Sequence, residues 1–217
     1  MPVEPLLRGE FPRVYVILDA ETLDRVGMGL VDAALRMRDA GVRLLQLRVK
    51  GRDRERVLAD TRGLVEALAG SGCQLILNDY ADLVGPGGCA GVHVGQGDLD
   101  AAAARRVVGA GTMLGVSTHT EAEMKAAAAG PADYVAIGPV FRTRTKADAA
   151  PEVGLAGVRM ARGLTGKLLV AIGGISVANA RSVIEAGADC VAVVGAVFGV
   201  GGDAGERARR LLEEVAD

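Results

Sequence analysis

Gln46, Arg48 and Lys50 alternate with Leu45, Leu47 and Val49 in a short run that reads as a β-strand. A period of two puts the three polar side chains on one face and the aliphatic ones on the other. A glutamine and an arginine on the inner face of a buried strand cost free energy unless something pairs with them. The plain explanation is an internal salt bridge or an exposed strand end; the sharper one is an anion site, for which two clustered cations are well suited. The next apolar run ends in Asn78-Asp79, and the one after it reads Gly91-Val92-His93-Val94-Gly95-Gln96-Gly97-Asp98. Asp79 and Asp98 therefore bring two carboxylates beside the cations. Mg²⁺ typically takes one or two carboxylates and completes its shell with water and phosphate oxygens. Taken alone, Asp98 reads as a helix N-cap for the alanine-rich segment that follows, and Asp79 as a cap for the short segment after it. The pair beside an anion cluster points to metal.

Further along, Gly115-Val116-Ser117-Thr118-His119-Thr120 closes another apolar run. Ser117 at its tip is placed to donate to a phosphate or a ligand heteroatom, whereas Thr120 with Glu123 has capping-box spacing. His93 and His119 are the two histidines. Neither has zinc-site spacing or a triad partner, so both read as hydrogen-bonded scaffold residues. The longest irregular stretch runs from Gly138 to about Gly154, and a loop of that length in a compact domain is usually functional. Residues 142–146, Arg-Thr-Arg-Thr-Lys, carry three cations and two hydroxyls, which suits a phosphate clamp; Arg142 and Arg144 are left unassigned. Gly173-Gly174 and Gly195 follow the last two apolar runs and let backbone N–H groups approach an anion closely.

These residues need a scaffold that gathers strand ends. Eight β-branched or Leu-rich runs recur, centred on Val14–Leu18, Leu44–Val49, Gln74–Leu77, Gly91–Val94, Thr112–Val116, Tyr134–Ile137, Leu168–Ile172 and Cys190–Val194. Helical periodicity lies between them: Val57, Leu58, Thr61, Leu64, Val65 and Leu68 share one face of 54–69, and Ala208, Leu211, Leu212 and Val215 share one face of the last segment. Gly41, Gly130 and Gly187 follow helix ends, where a left-handed residue is expected. Eight strand–helix units in 217 residues predict an α/β fold, a single (β/α)8 TIM barrel of eight parallel strands. The whole chain, 1–217, forms one domain in this reading, with 1–12 as an N-terminal extension and the barrel over about 13–216. The alternative, an open doubly wound sheet, lacks its Gly-x-Gly-x-x-Gly after the first strand, which runs instead into Asp19-Ala20-Glu21-Thr22. In the barrel, active sites form at the carboxyl ends of the strands, with a recurrent phosphate site after strands seven and eight. The polar residues above fall at such ends.

Composition agrees with this class. Half the residues are hydrophobic, 24% are charged, and glycine numbers 31 against six aromatics. That excludes a disordered chain and suits parallel strands buried on both faces. A net charge of −2 gives no reason to expect nucleic acid or an anionic membrane as partner. The longest uncharged apolar stretch, Cys190 to Gly202, is shorter than the ~18 residues of a membrane helix. Glu4, Arg8 and Glu10 stand where a secretory signal would be apolar. Three well-separated cysteines fit a reducing compartment, so a cytoplasmic location is expected.

Taken together, QLRVK (46–50), ND (78–79), GVHVGQGDL (91–99), GVSTHT (115–120), DYVAIGPVFRTRTK (133–146), AIGGI (171–175) and GADCVAVVGA (187–196) resemble thiamine phosphate synthase. The segments occur in order from about residue 14 to 198. The resemblance implies a (β/α)8 enzyme that joins hydroxymethylpyrimidine diphosphate to a thiazole phosphate, with Mg²⁺ as cofactor and these two small phosphorylated heterocycles as partners. Gln46, Arg48, Lys50, Asn78, Ser117 and Lys146 would bind the pyrimidine diphosphate, with Arg48, Lys50 and Lys146 catalytic. Asp79 and Asp98 would hold the metal. Thr143, Thr145, Gly174, Val194 and Gly195 would hold the thiazole phosphate. The family commonly has Ser where this chain has Gly195. The related thiazole tautomerase, which also carries a histidine in the loop of His119, and a non-catalytic thiazole-phosphate-binding regulator are the competing readings. Association into a homo-oligomer stays open.

Overall fold

The computed structural model describes residues 11–143, 150–199 and 201–216. Eight parallel strands close into a barrel in sequence order: β1 (Val14–Asp19), β2 (Leu44–Arg48), β3 (Gln74–Asn78), β4 (Gly91–Val94), β5 (Met113–Thr118), β6 (Tyr134–Ile137), β7 (Leu168–Ile172) and β8 (Cys190–Val193). Closure is made by β8 against β1, with Val14 opposite Val191 and Val16 opposite Val193. The major helices outside the strands are α2 (Leu30–Asp39), α3 (Arg54–Leu68), α5 (Ala101–Val108), α6 (Glu121–Ala129), α7 (Gly154–Leu164), α8 (Val177–Glu185) and α10 (Ala204–Glu214). Short turns of helix, α1 (Ala20–Arg25), α4 (Val84–Gly87) and α9 (Gly195–Phe198), complete the connections. All eight expected runs are strands. The fifth starts one residue later and extends to Thr118, so Ser117 lies within β5 rather than at its tip.

Alternation along the strands produces two cores. The larger lies between strands and helices and includes Val14, Val16, Leu18, Leu45, Leu47, Val57, Leu64, Ala208 and Leu211. The smaller fills the barrel and includes Phe11, Tyr15, Ile17, Leu44, Ile76, Met113, Tyr134, Val170 and Cys190. Three of the six aromatic residues are therefore inside the barrel, with Phe11 and Tyr15 packed 5.8 and 6.2 Å, centroid to centroid, from Tyr134. Gly115 makes this filling possible. A Cβ there would lie 2.0 Å from the Tyr134 ring, so β5 yields its inward position to the neighbouring tyrosine.

The helix ends differ from expectation at one place. Gly41 and Gly187 take φ of 102° and 112°, the left-handed stop that only glycine reaches cheaply. Gly130 instead is extended, with φ −82°. The chain turns from α6 directly toward β6, and no left-handed residue is required. The Thr120 cap forms, its hydroxyl accepting from Glu123 N. The reciprocal bond is displaced by one residue: Glu123 Oε2 accepts from the backbone N–H of His119 at 2.6 Å.

Candidate active site

At the carboxyl ends of the strands lies a cavity of about 760 Å³. Arg48, Lys50, Asp98 and Ser117 line one side, and Gly173, Gly174, Val194 and Gly195 the other. Arg142 and Thr143 reach it from the loop after β6. A shallower depression of about 460 Å³ adjoins it, sharing Lys50 and Asp98 and adding Asp79, Arg54, Tyr80 and Asp82.

Arg48 is the last residue of β2, and its Nη1 donates to Asp19 Oδ1 at 2.5 Å. Asp19 is the last residue of β1, directly opposite in register. Its other oxygen accepts from the Thr22 amide and hydroxyl, capping α1. A carboxylate with only 2% of its side chain exposed is thus fully engaged and holds the guanidinium at the cavity wall. The bridge expected as the plain alternative for the inward polar cluster exists, and Arg48 lines the cavity as well.

Lys50 follows the strand, is half exposed, and pairs with Asp79. Burial raises the Asp79 pKa; Lys50 opposes this, and the neighbouring Asp98 carboxyl adds to it. Asp79 also has φ of 69°, the one described non-glycine residue with positive φ, a strained conformation of the kind that collects at functional sites. Asp98 does not cap the alanine-rich helix; Asp100 does, accepting from Ala103 N. Asp98 Oδ2 instead accepts from Gly95 N at 2.9 Å, closing the turn after β4. Two carboxylates are therefore brought together beside a lysine, and among the described residues no third His, Cys, Asp or Glu joins them as a metal cluster.

Gln46 lies below this level. It is 3% exposed, points into the barrel, and its Nε2 donates to the Tyr15 hydroxyl at 2.7 Å. Asn78, 8% exposed, ends β3 and lines neither depression. Ser117 faces the cavity and shares a 2.7 Å hydrogen bond with His93 Nε2. His119 also lines the cavity, its Nδ1 3.2 Å from Glu123 Oε2.

On the opposite side, Gly173 and Gly174 have φ of 99° and 64°. A Cβ on Gly173 would lie 2.5 Å from the Pro139 ring, and one on Gly174 2.5 Å from the Arg142 carbonyl. The glycines thus admit the loop after β6, which is laid on them by Val140 N→Ile172 O and Phe141 N→Gly173 O bonds. Thr145 and Lys146 lie outside the described residues.

A family model for thiamine monophosphate synthase matches residues 14–197. The thiamine-phosphate synthase of Koribacter versatilis (strain Ellin345) is 44% identical over 187 residues, covering 85% of this chain and 88% of that protein. That of Methanoculleus marisnigri is 41% identical over 206 residues, covering 94% and 95%. The solved thiamine phosphate pyrophosphorylase from Pyrococcus furiosus superposes with a TM-score of 0.84 at 27% identity, covering 94% of this chain and 95% of that one. The chain belongs to the thiamine monophosphate synthase family. Membership makes it an enzyme, a transferase of thiamine biosynthesis. Among the described residues no helix is long and apolar enough to cross a membrane.

Three residues beneath or behind this cavity wall carry no assignment from the sequence. Asp19 had a legible signal, a charge at the carboxyl end of a barrel strand two residues beyond inward-facing Ile17. Tyr15 and Tyr134 had none, because an aromatic in an apolar run reads as core until its hydroxyl partner is known.

Proposed function

We propose that the protein joins 4-amino-2-methyl-5-hydroxymethylpyrimidine diphosphate to hydroxyethylthiazole phosphate, giving thiamine phosphate and pyrophosphate. The observation that carries this reading is one cavity with Arg48, Lys50 and Asp98 on one side and a glycine-lined backbone on the other, with Asp79 beside Asp98 in the adjoining depression. Two anionic substrates need two such walls facing each other.

The donor set fits Mg²⁺. Crowded against one another, Asp79 and Asp98 favour a cation, and with two carboxylates most of the coordination shell is left to water and diphosphate oxygens, as this ion prefers. When bound there, Mg²⁺ would neutralise charge on the diphosphate. The protein's own part is electrostatic. Arg48, held by Asp19, and Lys50 present positive charge to the diphosphate, and Lys146 joins them by its motif position. The pyrimidine C–O bond breaks heterolytically, its electron pair leaving with pyrophosphate, and the ring amino group stabilises the carbocation. The thiazole nitrogen then supplies the pair for the new C–N bond. Such a reaction asks for orientation and charge rather than a protein nucleophile. Ser117 serves the pyrimidine side, with Gln46 and Asn78 assigned there by their motifs. Thr143, Gly174, Val194 and Gly195 hold the thiazole phosphate, with Thr145 by motif. Three reduced cysteines suit the cytoplasm, and the two small heterocycles are its partners.

The test is to mix purified protein with both phosphorylated rings, with Mg²⁺ or excess chelator, and to follow thiamine phosphate and pyrophosphate. Metal-dependent formation of both is expected. Bound thiazole phosphate without product would favour the tautomerase or the non-catalytic binder, of which the position of His119 in the cavity supports the tautomerase.

A further inference from the structure

Inside the barrel a chain of polar groups runs from β2 to β5. Gln46 Nε2 donates to Tyr15 Oη at 2.7 Å; Tyr15 Oη and Tyr134 Oη are 3.2 Å apart; Tyr134 Oη is 2.9 Å from His93 Nδ1; His93 Nε2 is 2.7 Å from Ser117 Oγ. Both tyrosines are buried, at 1% and 0% exposure, so each hydroxyl proton must find an acceptor within this chain.

Each hydroxyl has one proton to give. Since the Gln46 amide N–H donates to Tyr15, the Tyr15 proton has Tyr134 as its acceptor. Tyr134, having accepted, gives its own proton to His93 Nδ1. The imidazole then carries its proton on Nε2 and donates to Ser117 Oγ. An imidazolium would leave the Tyr134 proton facing another N–H. Ser117 then accepts from His93, and its own O–H is left to donate toward the cavity that the residue lines. That outcome matches the surroundings: with Arg48 and Lys50 on the same wall, the guest is an anion that accepts hydrogen bonds.

We infer that Gln46, Tyr15, Tyr134 and His93 form a one-way hydrogen-bond relay that fixes the His93 tautomer and presents Ser117 to the pyrimidine diphosphate as a donor. His93 is then a positioning residue, and Gln46 acts from beneath the site. The substrate named here rests on the proposed function; the tautomer does not.

With two histidines in the chain, ring-nitrogen NMR of ¹⁵N-labelled, ligand-free protein reads the relay directly, His119→Gln supplying the assignment. A protonated Nε2 and bare Nδ1 on His93 are expected. A protonated Nδ1, alone or with Nε2, would reverse the relay and overturn the inference, whatever reaction the enzyme performs. Calorimetric binding of the pyrimidine diphosphate gives the second arm. Ser117→Ala, His93→Leu and Tyr134→Phe should each weaken it about tenfold, the scale of one lost hydrogen bond. His93→Gln, which puts an amide N–H where Nε2 was, should restore most of it. Tyr134→Phe combined with Ser117→Ala should bind no worse than Ser117→Ala alone. Losses that multiply, or no rescue by glutamine, would show Tyr134 and His93 to be packing residues only.

Discussion

At the residue scale, Gly195 and Asp79 respond in opposite ways to substitution. A Cβ on Gly195 meets nothing within 4 Å, although the residue lies on the cavity wall. Gly195→Ser, restoring the residue common in the family, should therefore leave the melting temperature unchanged and tighten thiazole phosphate binding several-fold, the scale of one added hydrogen bond. A lower melting temperature or weaker calorimetric binding would contradict the open space. Asp79 has no such freedom, tied to Lys50 and crowded by Asp98. Asp79→Ala should lower turnover about 10²-fold or more, the usual scale for lost transition-state electrostatics, measured as pyrophosphate release at saturating Mg²⁺. Arg48 and Asp79 were legible in the sequence because a charge at or just after a buried strand end must be explained. Asp98, exposed in the turn after β4, was legible only through its pairing with them. The part played by Tyr15 and Tyr134 was not, since a hydroxyl's partner is set by shear around the barrel rather than by spacing along the chain.

At the scale of elements, strands were easier to read than the contacts between them. A run such as Val14–Leu18 or Leu168–Ile172 is apolar because both of its faces are covered, and that alone locates it. What Gly115 and Gly174 do depends on which neighbour leans over them. Gly115 faces the Tyr134 ring, so Gly115→Ala should cost about 1–3 kcal/mol as overpacking, read from chemical denaturation. Gly174 faces the Arg142 carbonyl at a φ of 64°. Its replacement by alanine should lift the loop after β6 off β7, raising the KM for thiazole phosphate more than it lowers stability. An unchanged KM would mean that the loop does not depend on that close approach. The glycine motif was legible; its use in seating a loop was hidden, because an anion cradle and a loop seat call for the same residue.

At the scale of the molecule, the two concentric cores shield all three thiols to different degrees. Burial raises the Cys73 pKa to about 11 and that of Cys89 to about 12, and pushes Cys190, inside the barrel, up as well. Alkylation by iodoacetamide at pH 8 should be on the order of a hundredfold slower than for a free thiol, and unfolding should release all three. Fast labelling of the native protein would contradict the packing. The single barrel was legible from eight alternations, while closure depends on one pairing, β1 with β8, that joins the two most distant strands. During synthesis this has a cost in time. The first strand to leave the ribosome must wait for the last before one of its edges is covered, and until then its unpaired N–H and C=O groups lie open to other chains. A nascent chain stalled before Cys190 is thus a seven-stranded open sheet with two sticky edges, which a single further strand turns into a surface without any.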